Sequence, residues 1–195
     1  MDRKLKSEET ALIVIDMLED FFDPEIWPES DLPGQRGELV EAIGNSLSIF
    51  RKAGCPVFWV QQAFEADLRD AFPHMRRTGK QYTIRDTPGA RVLHELDQRR
   101  TDPVVMKKRF SAFYGTDLRE KLEARGIRAV CLAGITTSWC VRSTATDAYQ
   151  ADFRVVLCDG CMGGFRDADH RRDLAAMSGY IAEVWSADVL AGELC

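Results

Sequence analysis

The sequence predicts a doubly wound α/β architecture, a mostly parallel six-stranded sheet with helices on both faces. Short runs that are apolar at every position recur along the chain, and amphipathic stretches of helical period separate them. Strands without polar alternation are buried on both faces, the condition of a parallel sheet covered by helices. The 195 residues suffice for one domain with a full core and fall short of two ordinary ones. No repeat, linker or low-complexity segment interrupts them, so residues 1–195 are read as a single domain.

The first strand is Ala11-Leu12-Ile13-Val14-Ile15, and Asp16 follows it. A Pro-rich loop covers residues 22–37, after which Leu39, Ile43, Leu47 and Phe50 mark one face of a helix that ends near Gly54. Pro56-Val57-Phe58-Trp59-Val60 is the second strand. Residues 61–88 show no sustained period and read as an irregular excursion over the top of the sheet, a kind of connection that tends to carry function. Residues 91–96 read as a short helical turn, and Pro103-Val104-Val105-Met106-Lys107 as the third strand. Thr116 caps a helix over 117–124 whose Leu118 and Leu122 face inward and which Gly126 stops. Ala129-Val130-Cys131-Leu132-Ala133 is the fourth strand, with a helix over 141–150 after it. Arg154-Val155-Val156-Leu157-Cys158 is the fifth. A helix over 167–178 leads to a short last strand, 183–186.

Composition narrows the function. A net charge of −5 and basic clusters of only two or three residues argue against a nucleic-acid or anionic-membrane surface. No apolar run approaches the roughly 20 residues of a membrane span. The start, Met1-Asp2-Arg3-Lys4-Leu5-Lys6, has no apolar core or cleavage site of a signal peptide. The expected location is the cytoplasm. There the irregularly spaced Cys55, Cys131, Cys140, Cys158, Cys161 and Cys195 read as small hydrophobes more than as a disulfide framework. Cys158 and Cys161 form a C-x-x-C pair without a second pair, and His74, His94 and His170 are isolated in sequence, which does not make a zinc site. No G-x-G-x-x-G follows the first strand, which disfavours a dinucleotide-binding dehydrogenase on this Rossmann-like frame.

In doubly wound sheets, sites lie outside the carboxyl ends of the strands. Three capable side chains stand there: Asp16 after the first strand, Lys107 at the end of the third, and Cys140 just past the fourth. Cys140 falls in the first turn of a helix, where free N–H groups and the dipole favour a thiolate. A thiolate attacks a carbonyl to give an acyl-enzyme if one group takes its proton and another steadies the oxyanion. Asp16 suits the first task, backbone N–H groups of residues 134–140 the second, and Lys107 can hold both partners through its charge. On position alone the plainer readings stay open: an aspartate that caps, a lysine reaching for solvent, a cysteine that only packs.

Three segments carry a resemblance. They are ALIVIDMLEDFF at 11–22, VVMKKRFSAFYGTDL at 104–118, and GITTSWCV at 134–141 followed by STATDA at 143–148. In this order, and across nearly the whole chain, they resemble the isochorismatase-like cysteine hydrolases, which include nicotinamidases and N-carbamoylsarcosine amidase. The resemblance implies the isochorismatase-like hydrolase fold, with Cys140 as nucleophile, Asp16 as general base and acid, and Lys107 as the charge that organises them. It also implies a cis peptide between Ile135 and Thr136, with the amides of Thr136 and Cys140 as oxyanion donors. A homodimer or homotetramer is implied too, with a small molecule as substrate.

Departures from the family pattern refine this. Leu18-Glu19 stands where relatives often carry Gln-Asn, Thr146 replaces a common arginine, and Trp139 replaces a small or aliphatic residue. The metal-binding Asp-x-His of nicotinamidases has no counterpart in Val60-Gln61-Gln62-Ala63-Phe64, so no metal or cofactor is expected. Pocket walls are expected from Phe21, the 61–88 excursion, residues 110–114 and Trp139, with Phe21, Gln61, Phe113 and Trp139 as substrate contacts. The expected function is C–N hydrolysis of a small amide, ureide or carbamoyl compound through a thioester. Two alternatives are a vinyl-ether hydrolase of the isochorismatase type, which would ignore Cys140, and a non-catalytic binding protein that retains the fold.

Overall fold

The computed structural model describes residues 4–194, so Met1, Asp2, Arg3 and Cys195 lie outside it. Six strands, β1 (Thr10–Ile15), β2 (Val57–Gln62), β3 (Val104–Lys107), β4 (Ala129–Ile135), β5 (Arg154–Gly163) and β6 (Glu183–Trp185), form one sheet in the order β3-β2-β1-β4-β5-β6. Every neighbouring pair is parallel. The helices are α1 (Leu32–Lys52), α2 (Pro73–Thr78), α3 (Leu118–Glu123), α4 (Arg142–Gln150), α5 (Asp167–Met177) and α6 (Ala187–Glu193).

Alternate strand residues feed two cores, as a period of two requires. Leu12, Val14, Trp59, Cys131 and Val156 pack on one face under Leu39, Ile43, Leu47 and Phe50 of α1 and Leu190 of α6. Ala11, Ile13, Ile15, Val60, Val130 and Leu132 pack on the other, under α3, Val141, Ala145 and Ala148 around α4, and Met177 of α5. Each fully buried aliphatic side chain contributes about 1.5–3 kcal/mol, so both faces hold the sheet.

Several boundaries differ from the sequence expectation. Helix α1 begins at Leu32 inside the expected Pro-rich loop, because Pro33 sits in its first turn, where the missing N–H costs nothing. Residues 91–96 are not helical: Leu93 N–H donates to Met17 O, and Val92 bridges Leu18 in an antiparallel pair. The 61–88 excursion contains α2, which Gly79 ends at φ +71. Strand β5 runs on through both Cys158 and Cys161 to Gly163, with a register shift against β4 between Leu132 and Gly134. Helix α6 has no counterpart in the expected elements. Among the described residues no helix is long and apolar enough to cross a membrane.

The strand order reverses between β1 and β4, and the crevice at their carboxyl ends is where such sheets place ligands. Asp16 leaves β1 there and Cys140 follows β4. Lys107 ends β3, two strands away from β1.

Candidate active site

Asp16 turns out of β1 at φ +52, a left-handed conformation that aspartate tolerates better than most residues. Its Oδ1 accepts the Gln62 N–H at 2.8 Å, tying it to the end of β2. Its Oδ2 lies 2.6 Å from Lys107 Nζ, an ion contact without hydrogen-bond alignment, which leaves that oxygen able to accept a proton. Lys107, in register with Gln62 across β2–β3, reaches past β2 to make this contact. Its Nζ donates to Arg109 O at 3.0 Å and to Cys140 Sγ at 3.3 Å. Neither Asp16 nor Lys107 is exposed.

Cys140 sits in a π-helical turn, Thr137–Val141, that leads into α4. The turn closes through the N–H groups of Trp139 and Val141, both donating to Thr136 O at 3.2 and 3.1 Å. Gly134 lets β4 enter it: φ is +113, and a Cβ there would stand 2.1 Å from Ile15 O. The Ile135–Thr136 peptide is cis. The Thr136 N–H has no hydrogen-bond acceptor among the described residues, and its buried Oγ1 has no partner either.

Burial pushes the Cys140 thiol up to about 12, with Lys107 pulling it down and the Asp16 charge pushing it further up. Burial would also pull Lys107 down, but the Asp16 carboxylate beside it, with Cys140 after it, outweighs burial and holds the ammonium above its ordinary value. The upward direction at Cys140 favours the protonated thiol. This departs from the sequence expectation of a helix start that favours a thiolate: desolvation and a neighbouring carboxylate outweigh the partial charge of one helical turn.

Above the thiol lies a cavity of about 420 Å³. Its wall is mostly aromatic, made by Phe21, Trp27, Phe72, Tyr82, Phe110, Trp139 and Phe165, with Gln62, His74, Thr136 and Cys140 as its polar members. Phe21 and Trp139 stand where the sequence placed them. Trp139 is 53% exposed and leans on Phe110 at 5.2 Å between ring centroids, so it forms the rim and does not pack under α4.

Gln61 and Phe113 do not line this cavity. Successive strand residues point to opposite sides, so Gln62 faces the site while Gln61 faces Met106 and Arg85. Thr144 Oγ1 accepts the Ala112 N–H at 3.0 Å, pinning that segment to α4. Phe113 is thus carried onto Phe153 in the second core and Phe110 is left in the wall. Phe72, His74 and Tyr82 come from the 61–88 excursion, which the sequence did flag. Trp27 and Phe165 were missed, although Phe165 follows the end of β5 and the strand-end rule points to it.

Among the described residues, one group has metal-ligand spacing: Glu19, His94 and Glu95. Arg36 already bridges the two carboxylates at 2.8 and 2.9 Å, so a metal would have to displace it. The departure from Gln-Asn at 18–19 thus serves packing and this ion pair, with Leu18 buried and Glu19 bound to Arg36.

The family model of the isochorismatase domain matches residues 10–189. The chain belongs to the isochorismatase family. It is a hydrolase of that family, similar to the uncharacterized isochorismatase family protein YecD of Escherichia coli O157:H7, at 31% identity over 98% of this chain and 99% of that one. Ureidoacrylate amidohydrolase RutB of Methylobacterium radiotolerans is 28% identical, over 94% of this chain and 78% of its own. N-carbamoylsarcosine amidase of Thermoplasma acidophilum superposes with a TM-score of 0.76 at 28% identity, covering 92% of this chain and 97% of that one.

Proposed function

We propose that this isochorismatase-family hydrolase cleaves the C–N bond of a small amide, ureide or carbamoyl compound through a thioester on Cys140. The observation that carries the reading is the contact of Lys107 with both Asp16 and Cys140, with Cys140 lining the aromatic cavity. Asp16 Oδ2 takes the thiol proton as Sγ attacks the carbonyl carbon. The developing oxyanion meets the N–H groups of Thr136 and Cys140. Asp16 then returns its proton to the leaving nitrogen as the C–N bond breaks, leaving a thioester and a free amine or ammonia. Water, deprotonated by Asp16, hydrolyses the thioester and restores the thiol. Lys107 balances the negative charge throughout and keeps the carboxylate beside the sulfur. The names of the RutB relatives and of the carbamoylsarcosine amidase both denote C–N hydrolysis, which supports the same bond here.

A panel of small amides, ureides and carbamoyl compounds tests this. Turnover of the best member is expected to fall by about 10⁴-fold or more in Cys140→Ala and to be unchanged by a chelator. Turnover that survives Cys140→Ala overturns the thioester mechanism.

A further inference from the structure

The cavity wall is a near-continuous set of touching rings. Trp139 meets Phe110 at 5.2 Å, Phe110 meets Phe72 at 4.7 Å, and Trp27 meets both Tyr82 at 5.0 Å and Phe165 at 4.6 Å between centroids. Among the described residues, no lining residue is an aspartate, glutamate, lysine or arginine. The polar groups on offer carry no fixed charge: the Gln62 carboxamide, the unpartnered Thr136 hydroxyl, and His74 and Tyr82, which bond each other at 3.1 Å. Below them, the positive charge of Lys107 is matched by the Asp16 carboxylate at 2.6 Å, so the floor has no cation to spare.

Two cations touch rings of this wall, but neither lines the cavity. Lys80 lies over Trp27 and donates to Ile26 O. Arg109 lies over Phe72 and donates to Asp70 O and Lys108 O. A carboxylate brought into the cavity would shed its water and find no opposite charge, a large desolvation cost with no return. A flat uncharged group would instead displace water from the rings and stack on them.

Resting on the reading of Cys140 as the reacting thiol of this cavity, we propose that its substrate is an uncharged amide, ureide or carbamoyl compound with a flat apolar group, and that carboxylate-bearing members of the same class are excluded. The exclusion separates this chain from any relative whose substrate is an acid. It comes from the residue types of the wall, not from the catalytic groups.

Saturable alkylation of Cys140 in the wild-type protein tests the proposal without requiring turnover. Four chloroacetamides serve: 2-chloroacetamide, 2-chloroacetanilide, 4-(chloroacetamido)benzamide and 4-(chloroacetamido)benzoate. Each rate is divided by that with glutathione, and the labelled peptide is read by mass spectrometry. The anilide is expected to label Cys140 about tenfold or more faster than chloroacetamide, from stacking on the rings. The benzamide is expected to outpace the near-isosteric benzoate by about tenfold or more, and Phe165→Arg is expected to narrow that gap. Equal or faster labelling by the benzoate, no gain from the ring, or no labelling of Cys140 by any reagent overturns the proposal. The hydrolytic reading fails separately, through turnover that survives Cys140→Ala.

Discussion

Lys107 Nζ stands 2.6 Å from Asp16 Oδ2 with neither side chain exposed, and the same nitrogen lies 3.3 Å from Cys140 Sγ. One buried cation thus serves two acidic partners. Removing either end of the ion pair leaves a charge with no water to accept it. Lys107→Met and Asp16→Asn are each expected to destabilise the protein by about 3–5 kcal/mol. The double variant is expected to cost less than the sum of the two, by about 1 kcal/mol or more. Urea unfolding of the four proteins checks this, and additive losses would show that the pair is not coupled.

Asp16→Asn also separates proton transfer from architecture. Asparagine tolerates the left-handed turn at φ +52 and retains an oxygen for the Gln62 N–H. Turnover is expected to fall by roughly 10²–10⁴-fold, with the KM of the best substrate little changed. Steady-state kinetics on the folded variant decide it.

Burial disfavours the thiolate and pushes the Cys140 thiol well above its ordinary value. Its alkylation by iodoacetamide is therefore expected to keep rising with pH through 9 and above, where an ordinary thiol levels off. The sign is set by desolvation, which disfavours the reactive anion and outweighs the pull of Lys107. A plateau below pH 8 would place the sulfur in a thiolate pair instead.

Gly134 brings β4 against Ile15 at a φ of +113, with room for no side-chain atom. Gly134→Ala is expected to cost roughly 1–3 kcal/mol from backbone strain alone, and more from the contact with Ile15 O. The site should suffer beyond that, because the same strand delivers Thr136 and Cys140. A fall in Tm together with lower kcat in the fraction still folded is the expected pair of readings.

His170 braces the nucleophile turn from α5. Its Nδ1 lies 2.7 Å from Thr137 Oγ1, which also bonds Gly163 O at 3.0 Å. Burial holds the imidazole below its ordinary 6.5. A depressed folded value means that this contribution to stability is complete above about pH 6.5 and is lost as the pH falls below it. Denaturation midpoints at pH 7.5 and 5.5 should therefore differ more for wild type than for His170→Ala.

Much of this site was legible because it rests on local chain events. Ile15 to Asp16, Met106 to Lys107 and the run to Cys140 are strand ends, and strand ends converge in a doubly wound sheet. The cavity wall was less legible. Gln61 and Gln62 differ only by the strand's alternation, and one residue of register decides which of them faces the cavity. Phe110 and Phe113 differ by a bond from Ala112 to Thr144, 32 positions along the chain. Trp27 and Phe165 meet at 4.6 Å although they are far apart in sequence.

The order of apolar runs, helical stretches and turn residues is a property of neighbouring positions. It determined the α/β class and the place of Asp16, Lys107 and Cys140 at strand ends. The protonation of the thiol and the character of the cavity are not local properties. Burial of Cys140 depends on everything packed around it, and it works against the thiolate that a helix start favours. The absence of charge from the wall depends on which side chains face inward from at least six separate segments. Only the tertiary structure decided both, because desolvation and side-chain direction are set by contacts between residues distant in sequence.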